Sequence, residues 1–137
     1  MWWIFALLSA FFAALTAIFA KVGIKGVDTD LATAIRTVVI LVLAWGIAYF
    51  RGGAATIHTL TKINLIFLVL SGIATGLSWI FYFKALQIGK VSQVQPVDKL
   101  SVAIAIILSV VFLKEPLTLK TASGALLIIV GTLVLIF

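Results

Sequence analysis

Three ionisable residues lie inside long apolar runs: Arg36, Asp98 and Lys99. An ionised side chain in hydrocarbon is costly, so such groups pair with one another, line a path for a solute, or reach out to the lipid surface. Asp98 and Lys99 belong to the stretch "QPVDKLS", residues 95–101, which runs directly into "VAIAIILSVVFL". Neighbours on a helix point about 100° apart, so these two are expected to face different ways and not to pair. Asp98 then shares a polar and small face with Gln95, Ser101, Ala105 and Ser109. Lys99 turns elsewhere, to anchor at the interface or to enter a cavity from another angle. Arg36 lies roughly 9 Å along its helix beyond Asp30, and Asp98 roughly 6–9 Å along its own. That depth match allows an Arg36–Asp98 ion pair, which would spare each an unpaired buried charge. The plainer alternative places Pro96 in the first turn of a helix and Asp98 at its positive end. Arg36 and Lys99 are then snorkelling anchors.

A second group falls on "SGIATGLSWIFY". Ser71, Thr75, Ser78, Trp79 and Tyr82 gather hydroxyls and rings on one segment, as a face lining a polar cavity would. Gly72 and Gly76 lie four apart, and Gly124 and Gly131 seven apart, so each pair shares a face suited to close helix packing. Ala10, Ala13, Ala14, Ala17 and Ala20 form a similar small-residue series. No enzymatic constellation accompanies them. His58 stands alone, without a second ligand at metal spacing. The serines lack a nucleophile elbow, no phosphate-cradling loop is present, and without cysteine there is neither thiolate nor Cys-ligated metal. Neither a cofactor nor a metal is expected, and the chain is not read as an enzyme. Glu115, in "KEPLT", is read as a turn or interface residue.

The elements that must carry these residues are set by composition. Of 137 residues, 64% are hydrophobic and 10% charged, too few charges to cover a water-soluble surface. The net charge of +6 does not indicate nucleic acid, because the basic residues stand singly at the ends of apolar runs. Five spanning helices are predicted within a single domain, 1–137, at about 2–20, 31–50, 63–83, 94–113 and 121–137. Continuous apolar runs favour helices over the short alternating strands of a barrel. The first run lacks a basic leader and a cleavage site, and is read as a retained helix. Asp30 is the expected N-cap of the second helix. "RGGAATIHTLTK" is a loop broken at Gly52-Gly53. "KEPLTLK" is short enough to make the last two helices antiparallel neighbours.

Five spans put the termini on opposite sides of the bilayer. Arg51, Lys62, Lys114 and Lys120 fall on one side, and Lys21, Lys25, Lys84 and Lys90 on the other. This near balance leaves two readings under the positive-inside rule. Either one orientation is set by other features, or the chain inserts both ways and forms an antiparallel homodimer.

At this point the residues resemble a family. The stretch "ALQIGKVSQVQPVDKLSVAIAIILSVVFLKEPLTLKTASGALLIIVGTLVLI" resembles the EamA family of the drug/metabolite transporter superfamily. It shows an Ala-Leu helix exit, an apolar helix with proline at its head, an acid in the hairpin and a glycine-bearing last helix. "ATAIRTVVI" resembles the family's lone arginine in the second helix. The resemblance implies a multi-pass transporter of small metabolites or drug-like molecules in a prokaryotic inner membrane. Family members commonly have ten helices, as two five-helix repeats of inverted topology. This chain looks like one repeat, and a homodimer of opposed protomers would restore the pair. The related small multidrug resistance proteins carry a membrane-embedded glutamate in the first helix; this first helix has no acid. A central cavity is expected between the third and fourth helices, lined by Arg36, Trp79, Tyr82, Gln95 and Asp98, with Lys99 as an outlying member. A flippase for a lipid-linked molecule and a non-transporting membrane scaffold are the competing functions.

Overall fold

Backbone polar groups find no partners in lipid, so an apolar run satisfies them internally by coiling into a helix. The computed structural model describes residues 1–137. Its elements are α1 (Trp2–Gly23), α2 (Thr29–Phe50), a 3₁₀ segment (Gly53–Thr59), α3 (Lys62–Ile88), α4 (Val91–Asp98), α5 (Leu100–Phe112) and α6 (Leu119–Ile136). Five stretches are long and apolar enough to cross a membrane: α1, α2, α3, α6, and α4 with α5 taken together as Val91–Phe112. They are unequal. The 27 residues of α3 and the 18 of α6 correspond to roughly 40 Å and 27 Å. Large apolar side chains stand exposed along these helices, Phe5 and Phe81 among them. In lipid that surface meets acyl chains at little loss, because burying it against another helix gains little more.

The chain divides into two compact units. In the unit Ala20–Gln87, the turn after α1 is tied to the end of α3 by side-chain donors on backbone carbonyls. Lys21 Nζ donates to the Leu86 carbonyl, and Gln87 Nε2 donates to the Val27 carbonyl at 3.0 Å. Ile24, Phe83 and Leu86 are buried in this unit. The N-cap of α2 is Asp28, not Asp30. Its extended backbone lets Oδ1 fold back to accept from the amides of Asp30 at 3.0 Å and Leu31 at 2.9 Å. Asp30 lies inside the first turn, where its carboxylate reaches Lys84 Nζ at 3.9 Å. Asp28→Ala is therefore expected to destabilise the protein by about 1 kcal/mol. Asp30→Ala, which removes an exposed ion pair, should cost under about 0.5 kcal/mol. Thermal unfolding of the two variants in detergent gives that order directly.

At its other end α2 stops on Gly52, whose φ of 74° is the left-handed conformation that closes a helix without a Cβ penalty. The connection that follows is more ordered than expected. Residues 53–59 coil into the 3₁₀ segment, with the hydroxyls of Thr56 and Thr59 donating to the carbonyls of Gly53 and Thr56, each at 2.7 Å.

In the unit formed by Met1–Phe19 and Ile88–Phe137, α6 packs along both α4 and α5. The fourth span departs most from expectation. It starts at Val91, so Pro96 lies inside the helix and not in its first turn. Proline has no N–H to donate, and its ring crowds the carbonyl four residues back. The amide of Lys99 still reaches Gln95 O at 3.2 Å, but that of Val102 bonds Lys99 O, three residues back, at 3.0 Å. The helix is thus interrupted at Lys99. The Thr132 hydroxyl on α6 donates to Ile128 O within its own helix at 2.8 Å and shares that proton with the Pro96 carbonyl at 3.1 Å. Thr132 is buried. The α5–α6 turn is tight, as expected. Lys114 takes φ 55°, the amide of Glu115 returns to Ser109 O at 3.3 Å, and Thr118 caps α6 through the amide of Thr121.

The four glycines expected to mediate helix packing do not do so within the chain. A Cβ built at Gly72, Gly76, Gly124 or Gly131 meets nothing within 4 Å. Within each glycine's own unit, no neighbouring helix comes close enough to need the missing side chain.

Candidate functional site

The residues singled out in the sequence fall into two clusters, one in each unit. The first is built on α2 and α3. A residue on the second turn of α2 and a stripe on the C-terminal half of α3 meet face to face. Arg36 brings its guanidinium carbon to 4.4 Å from the ring centroid of Phe83 and 5.7 Å from that of Trp79. Trp79 and Phe83 are four apart and so share a ridge of α3. The ring of Tyr82 meets Phe83 edge to face at 5.5 Å. Cation–π attraction at a desolvated site is worth about 2 kcal/mol. It acts on the face of the guanidinium and leaves the in-plane N–H donors unanswered. Nη1 of Arg36 is buried without a hydrogen-bond partner, which costs about 1–3 kcal/mol. Within this unit the carboxylates are engaged elsewhere, Asp28 at the α2 cap and Asp30 with Lys84.

The polar residues on the first half of α3 take no part in this cluster. Ser71, Thr75 and Ser78 are exposed, and the Thr75 hydroxyl donates to the Ser71 carbonyl at 2.9 Å. Phe83 was missed in the sequence. It is apolar within an apolar run, and only the spacing 79, 82, 83, 86 marks the buried ridge.

The second cluster surrounds the interruption of the fourth span. Lys99 Nζ donates to Asp98 Oδ2 at 3.1 Å, so the two neighbours do pair, contrary to expectation. The backbone at Lys99 is still helical (φ -72°, ψ -9°), and it is the long, flexible lysine stem that bends back to reach its neighbour's carboxylate. The pair is partly exposed and contributes on the order of 1 kcal/mol or less to stability. Its larger consequence is that neither charge faces lipid unpaired.

Gln95 and Lys99, one helical turn apart, line a groove of about 680 Å³ with Pro96 and Val91. Its opposite wall is the alanine series of α1, from Ala10 through Ala13 and Ala14 to Ala17, with Ser9. Lys99, and not Asp98, therefore shares the groove face with Gln95, because the α-helical register holds from 95 to 99. With the helix starting at Val91, Asp98 and Lys99 lie roughly 10–12 Å along the span, deeper than expected. That volume suits a small organic molecule, and its polar lining comes from Gln95, Ser9 and Lys99.

The comparisons with known proteins agree with this architecture. The EamA-like transporter family matches residues 1–137. A Sinorhizobium protein described as an uncharacterized transporter in the cobO 3' region is 46% identical over 134 residues, covering 98% of this chain and 95% of its own length. An uncharacterized protein of Methanocaldococcus jannaschii is 37% identical over 71 residues, 52% of each chain. No solved structure matches significantly. Five apolar helices, a family match along the whole chain and a near full-length relative named as a transporter lead to one statement: this chain is a multi-pass membrane protein that belongs to the EamA-like transporter family.

Proposed function

We propose that the protein is a secondary transporter that carries a small metabolite or drug-like molecule across a prokaryotic inner membrane by alternating access. The observation that supports this best is the interrupted fourth span beside a groove. Secondary transporters bind cargo near the bilayer midplane where a helix is discontinuous. Here the break at Lys99 lies roughly 12 Å along the helix, and Lys99, whose ammonium is paired with Asp98, lines a groove of about 680 Å³ with Gln95. The open faces at Gly72, Gly76, Gly124 and Gly131 offer close-packing surfaces to a second copy. The near-balanced flanking charges suit a homodimer of opposed protomers.

Reconstitution into liposomes tests the reading. Saturable uptake of at least one solute from a metabolite panel is expected, and Lys99→Gln should lower it by roughly tenfold while the protein remains monodisperse. Unchanged flux in that variant would remove Lys99 from the path. A scaffold would give no saturable flux for any solute, and a flippase would move only a lipid-linked probe. Crosslinking in the same liposomes should trap protomers of opposite orientation; a partner found only in parallel excludes the inverted pair.

A further inference from the structure

We infer that Arg36 is the binding group for an organic oxyanion, a carboxylate or phosphate ester carried on an apolar or aromatic body. The guanidinium lies within a membrane span, and the two carboxylates of its unit already have partners, one at a helix cap and one on Lys84. Its Nη1 is buried and has no acceptor. Its guanidinium carbon lies over the rings of Phe83 and Trp79, 4.4 and 5.7 Å from their centroids. Rings can replace part of the hydration of a cation, but they accept no in-plane hydrogen bonds. A guanidinium held this way presents a planar fork of donors whose complement is a pair of oxygens on one carbon or phosphorus. The half-buried Trp79 and Tyr82 add a wall against which a flat or apolar ligand body packs. A lysine would meet the charge requirement but not the fork.

The oxyanion has two sources with the same chemistry, a soluble solute or the phosphate of a lipid headgroup. Its role as cargo rests on the transporter reading above; its binding does not. The full chain, purified in an uncharged detergent, is titrated with benzoate, phenylacetate and phenyl phosphate, and with benzamide and benzylamine as size-matched controls. Thermal stabilisation by the anions alone is expected, with affinity falling roughly tenfold in Arg36→Gln and only partly in Arg36→Lys, the difference between a fork and a point charge. Arg36 is one of two arginines. In an Arg51→Lys background, phenylglyoxal therefore reports on its guanidinium alone, and this gives a reading even where Arg36→Gln fails to fold. The anions should slow that modification.

A parallel arm in nanodiscs compares phosphatidylglycerol with phosphatidylcholine. Protection by phosphatidylglycerol alone keeps the oxyanion site and overturns its assignment to a solute. Stabilisation by benzylamine or benzamide, or anion binding and phenylglyoxal reactivity that ignore each other, overturns the inference. Anion binding without flux of the same anion in liposomes sinks the transporter reading and leaves the site standing.

Discussion

Phe83→Ala is expected to lower thermal stability in detergent more than any other single truncation on α3, by about 3–5 kcal/mol. Two losses coincide at this residue. Its ring is 1% exposed, so truncation leaves a cavity that neighbouring helices must partly collapse to fill. The ring also lies 4.4 Å from the Arg36 guanidinium, and its removal exposes the face of a cation already short of one hydrogen-bond acceptor. Trp79 stands farther off, at 5.7 Å, and is half-buried, so Trp79→Leu should cost distinctly less. Phe83→Leu separates the two terms, since it refills most of the volume and removes only the aromatic face. The expected order of unfolding temperatures is wild type, Trp79→Leu, Phe83→Leu, Phe83→Ala. Equal melting of Phe83→Leu and wild type would show that cavity filling alone matters and that the ring contributes nothing to Arg36.

Pro96→Ala should do the opposite to stability and still lower activity. A proline inside a helix costs about 3 kcal/mol. Alanine returns an N–H for the Ser92 carbonyl and removes the ring that crowds it, and a helix made regular through residue 96 favours continuing α4 into α5 through Lys99. The protein should therefore melt higher. The price is the break itself. A continuous helix offers Leu100 N–H to the Pro96 carbonyl position, in competition with the Thr132 hydroxyl that now donates there at 3.1 Å. Flux in liposomes is expected to fall by roughly tenfold or more, a transition-state penalty of about 1.4 kcal/mol per tenfold. Thr132→Val should lower stability slightly and leave the break in place, and so retain most of the flux. Pro96→Ala with raised stability and normal flux would show that the interruption plays no part in transport.

The parts of this protein that could be read from sequence are those where chemistry contrasts with its surroundings. Five apolar runs among a few charges define five spans, and Arg36, Asp98 and Lys99 stand out because each is ionisable inside such a run. Residues that match their surroundings stayed hidden. Phe83 differs from Phe81 only in which ridge of α3 it occupies, and that depends on how the helix is turned. The start of the fourth span was misplaced because Lys90 makes no side-chain cap, so no capping residue announces Val91. Pro96 was ambiguous for a physical reason, since the same fixed φ serves a first turn and an interior break. In "DTD" both aspartates could cap, and only the extended backbone at Asp28 selects between them. The Asp98–Lys99 pair could not be seen in a helical wheel, because a wheel shows where a side chain leaves the helix and not how far a lysine stem can bend.

The unequal lengths of the helices bear on the membrane the protein suits. Lys62 opens α3 and Lys84 lies four residues before its end, a separation of roughly 33 Å. That is close to the thickness of a bilayer's hydrocarbon layer, about 30 Å. A bilayer whose hydrocarbon layer matches that separation has both lysines at its edges, and the exposed Lys84–Asp30 contact at one of them. The 18 residues of α6 fall short of the same layer, so a thin bilayer favours α6 and a thick one favours α3. Hydrophobic mismatch of one sign or the other acts on the two helices in any bilayer, and acyl-chain length becomes a variable that sets which of them tilts.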